Sequence, residues 1–200
     1  MKVALGFKAH SGWAALVVIG RSGKEFEVID RRRVELVDKT WEKQPYHAAE
    51  GLALKEAQKL IKQGTEAAYQ RAQREMRSTA KSLGKHGHEI LACAVLVPNP
   101  MPEWNAAEIL AVHFRMHKAE GVLFPEALAN AAEKCGLNLI RIPEKQLDEV
   151  AEKRLAAPLT DLMKQVMKLG KTVGPPWGKD QKSATLAALI GLRVSSGLSR

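Results

Sequence analysis

The sequence predicts an α/β protein: a mixed five-stranded sheet in which three antiparallel strands lead into parallel βα units, with helices on both faces and one long helix. Three observations predict it. The first forty residues alternate β-branched runs with glycine-containing turns; the pattern switches to a helical period after Pro45; and residues 90–97 form a run of eight apolar residues with no polar member. Hairpins, a crossover helix and a strand buried on both faces produce those signals in that order.

Strands are expected at 2–8, 12–19 and 24–37, joined by Gly12 and by the Gly20, Arg21, Ser22, Gly23 turn. Beyond Pro45, Ala53, Ala57, Leu60, Ile61, Gly64, Ala68, Ala72, Met76 and Leu83 recur at three- and four-residue steps. They predict one long helix, or two broken near Gly64, in an insertion spanning about 46–85. At about 1.5 Å per residue a continuous helix exceeds ~40 Å, more than one sheet of this size needs, so part of it is expected to project or to pair with a second copy as a homodimer.

Residues 90–97 are expected to be a central parallel strand, and the prolines at 98, 100 and 102 a rigid extended exit from it. A helix over about 103–117 follows, broken by Gly121; the next, about 124–135, carries Ala127, Leu128, Ala131 and Ala132 on one side and ends at Gly136. A short strand at 137–142, helices at 143–155 and 159–169, a Gly/Pro loop at 170–178 and a helix from Asp180 or Lys182 to Leu192 complete one domain over 1–194, with 195–200 a frayed tail.

Composition narrows the classes. The 200 residues carry 31 Lys plus Arg against 22 Asp plus Glu, a net charge of +9, with 46% apolar residues, as in a folded protein that needs no disulfide or metal staple. The basic excess favours polyanionic partners such as DNA or RNA. No apolar run is long enough for a membrane span, the start shows no signal-peptide cleavage pattern, and Cys93 and Cys135 stand apart as reduced thiols, so a cytoplasmic protein is expected. Gly-x4-Gly-Lys-Ser/Thr, Gly-x-Gly-x-x-Gly and Gly-x-Ser-x-Gly are absent, which leaves P-loop kinases, Rossmann dehydrogenases and elbow-type hydrolases without support.

Three segments resemble the ribonuclease H-like superfamily, in its Holliday-junction resolvase (RuvC-type) branch. Leu5-Gly6-Phe7-Lys8-Ala9-His10-Ser11-Gly12-Trp13-Ala14 is similar to the branch's opening hairpin. Residues 116–123, with Gly136-Leu137 and Ile142-Pro143, are similar to its middle segment, and 180–189 to its closing helix. The resemblance implies two metal ions, Mg²⁺ or Mn²⁺, held by carboxylates from the first strand, the end of the fourth and the last helix. Here the first position is Lys8, Val97-Pro98-Asn99 follows the fourth strand with Glu103 only later, and Asp180 alone matches. Ordinary two-metal hydrolysis is therefore not expected, and no cofactor is. Lys8 instead offers a fixed positive charge for a phosphate.

The candidate catalytic group is accordingly Asp180 with Lys8 and His10, a set suited to acid/base work near neutral pH; Asp180 and Glu103 are the candidates if a metal binds at all. The plain alternative for Asp180 is a helix-starting carboxylate. Candidate nucleic-acid contacts are the stripe Arg71, Arg74, Arg77 or Lys81, and Lys85, the stripe Lys164, Lys168 and Lys171, and Trp177 and Lys179 in the Gly/Pro loop. Solvated helix faces, and Trp177 as a buried plug, are the alternatives. His113 and His117 stand at i, i+4, a metal-ligand spacing, but no motif supplies a third ligand, so they read as a helix-surface or core pair. Three readings stand: a nucleic-acid-binding or scaffold protein without ordinary nuclease activity, an active non-standard metal-dependent nuclease, and a protein-interaction module.

Overall fold

Five strands form one mixed sheet in the order β3-β2-β1-β4-β5. They are β1 (Lys2–His10), β2 (Trp13–Ser22), β3 (Glu25–Glu35), β4 (Glu89–Val97) and β5 (Leu139–Pro143). β1, β2 and β3 pair antiparallel, while β4 pairs parallel with β1 and β5 with β4, as the sequence pattern predicts. The middle strand is β1, and β4 lies beside it. The computed structural model describes residues 1–23 and 25–196.

Side-chain size on the two faces of the sheet determines what covers each. Val3, Leu5, Phe7, Leu16, Val18 and Val95 point to one side and pack on two helices, α2 (Leu54–Lys85) and α4 (His113–Lys134). Ala4, Ala92 and Ala94 point to the other and meet α7 (Lys179–Ser196) through Ala184, Ala187 and Ala188. Small residues on both partners let helix and sheet backbones approach closely. A Cβ on Gly6 would collide with the Ala184 carbonyl oxygen, and one on Gly191 would stand 3.1 Å from the Ala4 Cβ. α5 (Leu147–Leu155) and α6 (Leu159–Val173) complete that layer.

α2 is one unbroken helix of 32 residues. Gly64 does not break it: the missing side chain makes room for Pro45, whose Cβ would lie 2.7 Å from an added Cβ. That proline begins α1 (Pro45–Ala48), which follows a 3-10 turn at Thr40–Lys43. Ala68, Ala72 and Met76 of α2 bury on the sheet, while the part ahead of them packs away from the sheet, with Ala57 and Ile61 against Ala49 and Tyr46. From Ala57 onward the apolar stripe packs within the chain, and Leu54 ahead of it is exposed.

The expected helix over 103–117 and its break at Gly121 are also corrected. A short α3 (Ala106–Leu110) is followed by a break at Ala111 and Val112, and α4 then runs through both Gly121 and Pro125. Pro125 removes one helical hydrogen bond, to the carbonyl of Gly121, but Leu123, Phe124, Ala127 and Leu128 hold the helix on the sheet regardless. α4 ends where predicted, with Gly136 at φ +68°. α7 begins at Lys179 and includes residues 195 and 196; the rest of the tail expected to fray lies outside the described residues.

Candidate functional site

The C-terminal ends of β1, β4 and β5 lie at one edge of the sheet, and α7 starts there. Its seating on Gly6 places Asp180 beside the end of β1, where Asp180 Oδ1 stands 2.9 Å from Nε2 of His10. The two form an ion pair when the imidazole is protonated, although the nitrogen does not point along a hydrogen-bond direction. His10 and Trp13 close the first hairpin across Ser11 and Gly12, whose φ of +85° a side chain would strain. Their rings stack at 4.5 Å and 15°, and the Arg33 guanidinium lies 4.1 Å from the centre of the Trp13 ring. Asp180, His10, Trp13 and Arg33 are therefore a continuous stack at the sheet edge.

Lys8 does not join His10. Its side chain is only 13% exposed and its Nζ donates to Glu144 Oε2 at 2.5 Å, from the segment that follows β5. Next to this pair, Pro98, Asn99, Glu144, Lys145, Lys179 and Ser183 line a cleft of about 470 Å³. Lys145 and Lys179 line it together with the carboxylates Glu144 and Asp148.

This arrangement of strands and helices matches known structures. A structure of RuvC from Thermus thermophilus aligns with 98% of this chain and 97% of its own at a TM-score of 0.52 and 13% identity. A second, of T. thermophilus RuvC in complex with a Holliday junction substrate, aligns with 98% of this chain and 96% of its own at 0.50 and 11%. The chain has the ribonuclease H-like fold. No protein-family model and no curated protein sequence matches it.

Two metals at the strand ends of a ribonuclease H-like fold need several anionic oxygens converging on them. The residues here do not fit that need. Lys8, where the resemblance implies the first carboxylate, is an ammonium that takes up the Glu144 carboxylate, Asn99 and Pro98 follow β4, and Glu103 is exposed in the extended connection. Among the described residues, no group of three carboxylates or imidazoles converges at this edge.

The other sequence-predicted contacts divide. Arg71 pairs with Asp38 and Glu75, and Arg74 with Asp38, so the first half of the α2 stripe is neutralised within the chain; Arg77, Lys81 and Lys85 are exposed. Lys164, Lys168 and Lys171 are exposed along α6 and border a shallow groove with Met163 and Met167; Lys164 also reaches Asp161. Trp177 is not a presented platform. Its indole fills the space left by Gly170, and its Nε1 is buried. Arg31 pins the same loop by donating to the carbonyls of Gly174 and Pro176. Lys179 remains exposed beside the cleft.

Sequence reasoning missed Glu144, Trp13 and Arg33 as members of the site. Trp13 was visible only as part of the hairpin motif, and β3 gave no sign that Arg33 would cross it. No helix among the described residues is long and apolar enough to cross a membrane.

Proposed function

We propose that this ribonuclease H-like chain binds nucleic acid along the sheet edge and does not carry out ordinary two-metal hydrolysis. The observation that carries the reading is the Lys8–Glu144 pair: where the resemblance implies a metal-binding carboxylate stands a lysine, and it ties up the neighbouring acid. The net charge of +9, the cleft with Lys145 and Lys179, and the Holliday junction bound by a protein of the same fold support it. Phosphates would lie against Lys145, Lys179 and the α6 lysines. A cytoplasmic location belongs to the same proposal and accords with the two free thiols.

The His10–Asp180 pair favours a second reading, an active non-standard nuclease in which the imidazole moves a proton. One experiment tests both. Branched DNA, duplex DNA and RNA are mixed with purified protein at two salt concentrations, with Mg²⁺ or Mn²⁺ present, and both binding and strand integrity are recorded. Salt-sensitive binding of intact strands is expected, and Lys179→Met should weaken it and reduce the salt slope by about 1. Cleavage that disappears in Asp180→Ala and His10→Ala would establish the second reading, and no binding at low salt would leave a protein-interaction module.

A further inference from the structure

α1 and the first turns of α4 bring three imidazoles together outside the sheet-edge site. His47, His113 and His117 each offer a ring nitrogen, and the three nitrogens lie within 4.8 Å of one another. Nε2 of His113 and Nε2 of His117 are 3.1 Å apart. Two donors held 2.0–2.1 Å from a tetrahedral ion stand roughly 3.3 Å apart, so the pair is already near ligating distance. The rings meet edge-on or tilted: His113 makes 89° with both His47 and His117, and His47 makes 51° with His117. Stacked rings would turn their nitrogens away from a common point, and these do not.

A second observation is independent of that spacing. Glu120 is buried, and one of its carboxylate oxygens accepts the backbone N–H groups of Tyr46 and His47 at 3.0 and 3.1 Å. Its other oxygen stands 2.7 Å from Nδ1 of His47. A carboxylate at Nδ1 holds the proton there, which leaves the lone pair on Nε2. That Nε2 is buried and has no hydrogen-bond partner. A buried acceptor on a ring whose centre lies 5.0 and 4.6 Å from those of two further imidazoles, with a carboxylate at its other nitrogen, matches how a metal-binding histidine is oriented.

We propose that His47, His113 and His117 bind one divalent transition-metal ion, Zn²⁺ in the first instance, with Glu120 as the positioning residue. Three nitrogen donors without a carboxylate or carbonyl suit zinc and its neighbours rather than Mg²⁺ or Ca²⁺. His113 and His117 are exposed, so the fourth position faces solvent and takes water or a small anion. The ion would tie α1 to α4. It shares no residue with the nucleic-acid proposal, and either can fail alone.

The test uses the tag-free full chain, stripped with EDTA and returned to metal-free buffer. Zn²⁺ is titrated by calorimetry and Co²⁺ by visible absorption. One equivalent of Zn²⁺, a Co²⁺ spectrum of tetrahedral intensity and an EDTA-reversible rise in melting temperature are expected. His113→Gln and His117→Gln lie at exposed positions and should keep the far-ultraviolet circular dichroism while losing the cobalt spectrum and the tight zinc site. Glu120→Gln should retain one-to-one binding, shift the cobalt bands and weaken affinity by about 10–100-fold. Zinc binding unchanged in the His113→Gln, His117→Gln double variant, or the lack of a one-to-one site in the unmodified chain, would overturn the proposal.

Discussion

Cys93 and Cys135 show how one residue type takes two characters in one fold. Cys93 lies wholly within β4, and burial, with a smaller contribution from the nearby Cys135, pushes its thiol far above the ordinary range. Cys135 sits half-buried at the end of α4. The thiolate is the reactive form, so a thiol-specific reagent should modify one cysteine per folded chain, Cys135, and both after unfolding, as read by mass spectrometry of the labelled peptides. Lys8, His10 and Asp180 were legible as candidates because a short motif carries each of them, and the 2.9 Å between His10 and Asp180 is what the structure adds. Lys8 next to Glu144 was not, because the segment after β5 has no motif and the contact spans the whole α/β half of the chain. His47 was illegible for the same reason: the i, i+4 pair on α4 is a local pattern, and its third member comes from a four-residue helix ahead of α2.

At the scale of elements, the contact between α7 and β1 determines where the site forms. A methyl group on Gly6 meets backbone rather than a flexible side chain, so α7 must lift off the sheet to accept it. Gly6→Ala should cost about 1–3 kcal/mol or more, and at about 2–4 °C per kcal/mol lower the melting temperature by several degrees. The separation of His10 from Asp180 should increase with it, so nucleic-acid binding should weaken in folded protein below the new transition. Differential scanning fluorimetry and binding anisotropy would check the two effects. Strand identity and order of the elements were readable from the sequence because period-2 and period-3.6 patterns are local. The behaviour of Gly64, Gly121 and Pro125 was not, since a glycine or proline inside a helix is tolerated or not according to what packs on it. Gly64 faces Pro45, whereas Gly121 faces open space in a helix held down by its neighbours.

On the scale of the whole molecule, the charge is unevenly available. Arg71 and Arg74 are committed to Asp38 and Glu75, while Lys164, Lys168 and Lys171 stand exposed on one face of α6, Lys164 with Asp161 beside it. Replacing those three by Gln should weaken binding uniformly across sequences and reduce the dependence of log affinity on log salt by up to about 3; Arg71→Gln and Arg74→Gln should change it by much less. Titrations at four or five salt concentrations would separate the two groups. The close seating of α7 on β1 also sets an order of events during synthesis. β1 (Lys2–His10) leaves the ribosome well ahead of the helix that covers it (Lys179–Ser196), by on the order of ten to thirty seconds. Until then Ala4, Val17, Ile19, Ala92, Ala94 and Leu96 form an uncovered apolar floor on a nascent sheet whose opposite face can already be closed by α2 and α4. A growing chain of this protein is thus a half-built sandwich, and a holding chaperone would find its surface on the side where α7 later docks.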